Sequence, residues 1–179
     1  ICNSIEVLYM LGYCLVMKLL LIICNLLLNI LVHSKDYFDY IIDNNANRTI
    51  VMEHNYNETS FFKAFKLEGS FTDNLGNYGN WEGFVTTFIQ NEKVIKLDVN
   101  SRFTYQNNKK VYFQGYRQEG TEESAGVGRS IIIYSDKSFK NLVDSKCLYS
   151  AKFFEQTLFS KIKCKIKQAG LIELEKVQQ

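Results

Sequence analysis

Proline is absent from this chain of 179 residues, although it makes up about 5 percent of an average protein. Asn, Lys, Ile, Tyr and Phe are frequent instead. Since the codons of these residues are rich in A and T, we interpret the composition as a bias of the genome. The turns must therefore be marked by Asn, Asp and Gly.

Excess charge of either sign is also nearly absent, because the formal net charge is only +2. Lys18 and Glu6 cancel, so the chain after residue 34 keeps the same value. This charge is too small for the basic surface that nucleic-acid binding needs, and no nucleic-acid partner is predicted.

Histidine is scarce, and His54 is the only one after residue 34. No His and Cys residues have the spacing of a metal site, and no motif supplies the Ser and Asp partners of a catalytic triad. The sequence therefore predicts no metal site and no cofactor. It assigns no catalytic residue and therefore favours a protein that is not an enzyme over an enzyme.

Residues 17–34 have the pattern of a secretory signal peptide. Met17 and Lys18 precede an apolar run from residue 19 to residue 32, and Ser34 follows at the offset of a cleavage site. The alternative is an uncleaved membrane anchor over residues 11–32, but Lys18 would then lie inside the bilayer at a cost of about 3 kcal/mol. We predict a cleaved signal and a secreted or periplasmic protein, with no stable membrane insertion after cleavage.

The remaining boundaries follow from this assignment. Residues 1–16 are interpreted as upstream or truncated sequence. Residues 35–60 are a segment of uncertain order, in which residues 43–47 have turn chemistry. Residues 61–179 are predicted to form one antiparallel β domain with at least seven strands and no helix longer than about three turns.

The clearest strand covers residues 94–105, where apolar and polar side chains alternate. A tight turn at Asn91 and Glu92 would pair Phe88 with Ile95 and Phe84 with Val99. The same register places Trp81 opposite Arg102 on the outer face. The residues predicted to point into the fold are Phe84, Phe88, Leu97, Phe103 and Tyr105.

Residues 117–130 form the longest polar stretch. They lack the Lys and the following helix of a phosphate-binding loop, which excludes that function. Glu119, Glu122 and Glu123 are candidates for a carboxylate cluster, but a solvated loop is the commoner structure for such a stretch.

Gly126-Val127-Gly128 and the segments 131–133, 139–142 and 146–149 form a glycine-containing pattern in the last third of the chain. On these residues the chain resembles small secreted barrels of the allene oxide cyclase-like or calycin type, although Ser138 and Ser145 stand where that pattern has Gly. The resemblance implies an antiparallel barrel with an apolar interior, and it transfers no catalytic residues.

The C-terminal part predicts two hairpins. A turn at Glu155 and Gln156 brings Cys147 opposite Cys164, and in an oxidising compartment these two cysteines should form a disulfide bond. A second turn at residues 168–170 would place Lys165 opposite Glu173 and Lys163 opposite Glu175.

The predicted fold is therefore all-β, an antiparallel barrel or sandwich of calycin-like type, preceded by a signal helix. The favoured function is binding of a small apolar molecule by the inward aromatics, with the Tyr105 hydroxyl as a hydrogen-bonding group. The alternative is a structural or interaction module whose interior is filled by the same side chains, and a barrel enzyme of cyclase type is third. The sequence leaves the oligomeric state open.

Overall fold

The computed structural model describes residues 37–178, except for the side chains of residues 118–121, and residue 18 by itself. The predicted signal peptide and the sequence before it lie outside the described residues, apart from Lys18. Within the described part, no helix is long and apolar enough to span a membrane.

Eight antiparallel strands form a closed barrel in the described part of the chain, which confirms the predicted fold class. Each strand pairs with the next in sequence, and the first also pairs with the last. The strands are β1 (Tyr37–Asn57), β2 (Ser60–Asp73), β3 (Tyr78–Gln90), β4 (Lys93–Tyr105), β5 (Lys110–Glu122), β6 (Ala125–Ser135), β7 (Lys146–Phe154) and β8 (Thr157–Lys167). Seven of them, β2 to β8, lie between Ser60 and Lys167, in agreement with the predicted number of strands.

The core consists of inward side chains that alternate with outward ones along each strand. At its centre the Phe103 ring stacks on Trp81, with ring centroids 5.8 Å apart, and also contacts Phe71 and Phe113 at 5.1 and 4.8 Å. Such aromatic pairs add roughly 0.5–1.5 kcal/mol each beyond the area they bury. These four rings fill the middle of the barrel.

The two ends of the barrel differ. At one end, here called the hairpin end, neighbouring strands are joined by turns of two residues, such as Asn91 and Glu92 with φ of 50° and 64°. The other end, here called the capped end, carries the longer connections, the 3₁₀-helix η1 (Lys137–Leu142) and the helix α1 (Gln168–Glu175). A further 3₁₀-helix, η2 (Lys176–Gln178), follows α1.

The predicted hairpin at residues 168–170 is wrong, because these residues begin α1. Leu174 of this helix is fully buried, as is Leu142 of η1. Glu173 accepts hydrogen bonds from the backbone and side-chain nitrogens of Asn141 at 3.0 and 2.6 Å, and thus does not face Lys165. The neighbour of β8 is β1, and Lys165 pairs with Asp39 on that strand at 2.5 Å.

The predicted register of β3 and β4 is also wrong. The turn at Asn91 and Glu92 is present, but a bulge between Phe88 and Ile89 shifts the pairing by one residue. Phe84 therefore lies opposite Asn100 with 47% of its surface exposed, and Phe88 lies on the outside against the Tyr56 ring at 5.9 Å. A one-residue shift sends side chains to the opposite face, which is why both rings are outside rather than inside.

The predicted position of Trp81 on the outer face is wrong for the same reason, since Trp81 lies opposite Phe103 in the interior. The predicted neighbour, Arg102, lies outside and binds both carboxylate oxygens of Glu82 at 2.8 Å.

Two polar segments that the sequence analysis interpreted as turn or loop are strands. Residues 43–47 are part of β1, and residues 117–130 form the hairpin of β5 and β6. In residues 43–47, the exposed Asp43, Asn45 and Asn47 alternate with the buried Asn44 and Ala46, as expected for a strand.

A buried hydrogen-bond network holds the capped end together. The Tyr40 hydroxyl donates to Asp73 Oδ2 at 2.9 Å, so the hydrogen bond of 2.6 Å between the two tyrosine hydroxyls is donated by Tyr105. Asn77 donates through its backbone to Asp73 Oδ1 at 2.8 Å, and through Nδ2 to the carbonyl of Leu174 in α1 at 3.2 Å. Burial raises the pKa of both tyrosine hydroxyls.

We expect the free energy of unfolding to fall as pH rises above about 10, the pKa of an exposed tyrosine. Because the pKa is raised in the folded state, the unfolded chain loses the proton first as pH rises. The contribution of each tyrosine to the free energy of unfolding is therefore fully present below pH 10 and is lost above it, at up to about 1.4 kcal/mol per pH unit. When the free energy of unfolding is measured with urea at a series of pH values, it should fall less steeply with pH in Tyr105→Phe than in the parent. The exposed Tyr78→Phe variant is the control, and an unchanged slope in Tyr105→Phe would contradict the assignment.

The predicted disulfide bond is present between Cys147 and Cys164, which lie directly opposite each other on β7 and β8. Both side chains are buried, with 4% and 0% exposure. The bond closes a loop with a sequence separation of 17 residues.

The folded protein should have an intact mass two hydrogens below that of its reduced form. Replacing both cysteines by serine should lower the free energy of unfolding by about 3 kcal/mol, the chain-entropy term for so short a loop. Equal denaturation midpoints for the parent and the double variant under non-reducing conditions would rule out a stabilising bond.

Candidate functional site

The barrel encloses a cavity of about 70 Å³ in the half that faces the hairpin end, and all eight strands contribute to its wall. Most of this wall is apolar. Its main apolar side chains are Phe65, Trp81, Val85, Leu97, Phe103 and Phe153.

The structure brings together only part of the predicted site. Leu97 and Phe103 line the cavity, whereas Phe84 and Phe88 are outside the barrel. Tyr105 points inward but is 2% exposed and belongs to the capped-end network, so its hydroxyl does not line the cavity.

Besides Ser101 and Ser160, four polar side chains interrupt the apolar wall: Asn44, Arg117, Ser130 and Tyr149. Asn44, Arg117 and Ser130 are 6%, 4% and 8% exposed. Each of these three presents at least one buried nitrogen or oxygen that has no hydrogen-bond partner among the described residues. Leaving such an atom unpaired costs about 1–3 kcal/mol.

Arg117 lies on β5, on the same inward face as Phe113 and Gly115. Its Nη1 donates to the backbone carbonyl of Glu122 at 3.0 Å, and its Nε is unpaired among the described residues. None of the ion pairs formed by the described residues includes Arg117. The cavity wall thus carries a buried positive charge.

Gly126 and Gly128 make room for these polar groups. They lie two residues apart on β6 and so face the same side of the sheet. A Cβ atom at Gly126 would lie 2.7 Å from Arg117 Nη1, and one at Gly128 would overlap the ring of Tyr149. The absence of side chains lets the guanidinium and the phenol lie side by side against the β6 backbone.

Burial raises the pKa of the Tyr149 hydroxyl, and the charge of nearby Arg117 opposes part of this shift. The hydroxyl therefore stays protonated at neutral pH, and it can both donate and accept a hydrogen bond. Together with the Ser130 hydroxyl and Arg117, it forms a polar wall on the adjacent strands β5, β6 and β7.

The sequence analysis missed Asn44, Arg117, Ser130 and Tyr149. For Arg117 the available signal was its spacing, since Val111, Phe113, Gly115 and Arg117 alternate with exposed or polar residues. For Gly126 and Gly128 the available signal was that the two glycines lie two residues apart, shortly before a run of apolar residues.

A cluster of charged side chains lies at the hairpin end, next to the cavity. Glu123, in the turn after β5, binds Arg48 Nη1 at 3.1 Å and Lys63 Nζ at 3.2 Å. The Arg48 guanidinium also lies 4.6 Å from the ring centroid of Phe153, which lines the cavity. Because it links β1 and β2 to the far side of the barrel, we call this ion cluster the strap.

Glu123 is thus an ion-pair partner rather than a member of the carboxylate cluster considered above. Glu122 accepts a hydrogen bond from Ser124 Oγ at 3.2 Å, and the side chain of Glu119 lies outside the described residues. No group of three or more His, Cys, Asp or Glu side chains in the described part could hold a metal ion.

No protein-family model, curated protein or solved structure matches this chain.

We expect Glu123→Gln to weaken the strap. The neutral amide leaves Arg48 and Lys63 facing each other without their shared carboxylate, at a cost of about 1–2 kcal/mol. Acrylamide should then quench the fluorescence of Trp81, the only tryptophan, more strongly than in the parent. The control is Glu68→Gln, which breaks the exposed ion pair with Lys66, and equal quenching in both variants would contradict a closing role for the strap.

Proposed function

We propose that the protein is a secreted or periplasmic barrel that binds a small, largely apolar molecule in its interior. The observation that carries this proposal is the cavity of about 70 Å³, whose apolar wall is interrupted by polar side chains, three of them with unpaired atoms. Ligand pockets typically combine an apolar lining with a few polar groups that orient the ligand.

A ligand accounts for the polar atoms better than a filled core does. Buried polar atoms in folded proteins nearly always have a hydrogen-bond partner, and here four such atoms without a partner belong to side chains that line one cavity: Asn44 Oδ1 and Nδ2, Arg117 Nε and Ser130 Oγ. A core evolved only for stability would place apolar side chains at these positions.

The volume limits the size of the ligand. An engineered apolar cavity of about 150 Å³ holds one benzene molecule. A cavity of about 70 Å³ is therefore suited to a molecule with fewer non-hydrogen atoms, or to one end of a longer molecule.

Export is supported by two features. The pattern of residues 17–34 is that of a signal peptide, and the buried disulfide bond of Cys147 and Cys164 suits an oxidising compartment. The resemblance to secreted calycin-type barrels agrees with both.

The competing function is a structural or interaction module without a ligand. The close packing of Phe71, Trp81, Phe103 and Phe113 favours it, because these rings already fill the middle of the barrel.

Trp81 lines the cavity and provides the test. Titration with straight-chain alcohols from ethanol to octanol should give a saturable change in its emission, with the tightest binding for the chain that fills the cavity. Gly115→Ala should weaken this binding, because its added Cβ would sit in ordinary contact, 3.5 Å from Ser130 and Tyr149, and take up cavity volume. The same change should raise the free energy of unfolding by about 0.4–1 kcal/mol.

Phe84→Leu, on the outer face, is the matched control and should bind like the parent. Native mass spectrometry of protein from its own source should show a bound small molecule. If neither a saturable emission change nor a co-purified ligand is observed, the structural module with a filled interior remains as the function.

A further inference from the structure

We infer that the ligand is a carboxylate, whose head group is bound by Arg117, Tyr149 and Ser130 on the polar wall of the cavity. This inference rests on the proposed function and specifies its ligand class. It depends on the position, charge and unpaired atoms of these three side chains.

The charge of Arg117 points to an anionic ligand. In the strap, Arg48 and Lys63 both pair with Glu123. Outside the barrel, Arg102 pairs with Glu82. Arg117 is more deeply buried, with 4% exposure, yet it forms no ion pair with another described residue. An arginine is always protonated in a protein, and a buried charge is stable only when an opposite charge or several hydrogen bonds compensate it.

The geometry of the guanidinium points to a carboxylate. A guanidinium offers five N–H donors in one plane, and Nη1 of Arg117 donates to the backbone carbonyl of Glu122. The unpaired Nε and the remaining N–H groups match the two oxygens of a carboxylate, which arginine binds through two parallel hydrogen bonds.

Two hydroxyl groups near Arg117 extend the anion site. The Tyr149 hydroxyl lies beside it over Gly128, where it accepts from the guanidinium, and Ser130 follows two residues along the same inward face of β6. Both hydroxyls are able to donate to an anion. Asn44 lies on β1, four strands around the barrel from Arg117 and two strands from Tyr149.

The apolar remainder of the cavity excludes a fully hydrated inorganic anion as the best fit. Leu97, Phe65 and Phe153 line the space beside Arg117 and would contact a hydrocarbon tail. A monocarboxylate with a short apolar tail satisfies both the charge and the apolar wall.

The test compares carboxylates with alcohols of the same chain length, from acetate and ethanol to octanoate and octanol, by Trp81 emission and calorimetry. The parent protein should bind each carboxylate about tenfold or more tightly than its alcohol, the usual gain of charged over neutral hydrogen bonds. This preference should disappear as pH falls below about 4, where a carboxyl group is protonated.

Arg117→Met is the informative variant. Methionine has similar length, and replacing a buried charge by an apolar side chain of similar volume often preserves folding. The variant should lose the preference for carboxylates and retain alcohol binding, whereas Arg117→Lys, which keeps the charge without the planar fork, should fall between variant and parent. Tyr149→Phe should reduce the preference in part.

The outcomes separate the two proposals. If neither carboxylates nor alcohols bind, the proposed function itself is wrong. If both bind equally and Arg117→Met changes neither, the barrel binds small apolar molecules but the inferred carboxylate site is wrong.

Discussion

The closed barrel depends on the pairing of β1 with both of its neighbours. Residues 37–47 pair with β8 while residues 42–57 pair with β2, so the middle of β1 is bonded on both sides. Three lysines of β8 bind Asp39 and Asp43 across this junction, but these side chains are 40–63% exposed and each such pair contributes only about 0–1 kcal/mol. Closure therefore comes mainly from backbone hydrogen bonds and from inward residues such as Tyr40 and Cys164, which lie opposite each other.

Closure with eight strands leaves an interior that side chains can nearly fill. The four central aromatic rings fill the middle, and the remaining space lies toward the hairpin end. In that half, Gly126 and Gly128 give up side-chain volume, and the volume is taken by the polar ends of Arg117 and Tyr149 rather than by apolar groups. Polar side chains thus occupy inward positions where apolar side chains would stabilise the core more, as is typical of binding sites.

Alternation identified the strand at residues 94–105 and correctly turned Leu97, Phe103 and Tyr105 inward. It failed at β3, because both faces of that strand carry apolar residues and the bulge after Phe88, not the pattern, selects the buried face. The disulfide bond was predictable because one turn of two residues fixes the register of Cys147 and Cys164. Arg117 was missed because a polar stretch with several glutamates is usually solvated, although its spacing from Val111, Phe113 and Gly115 places it on the same face of β5.

The failed C-terminal hairpin has a physical cause that also distinguishes the two ends of the barrel. Since β1 occupies the position beside β8, the chain after Lys167 has no strand to pair with and covers the capped end as α1 instead. Asn77 ties that helix to Asp73 below it, so the capped end is sealed by buried hydrogen bonds. The strap closes the opposite end with side chains alone, and these are still 15–20% exposed. Side-chain rotations are far faster than opening of a packed helix, so the hairpin end is the end of the barrel that opens more readily.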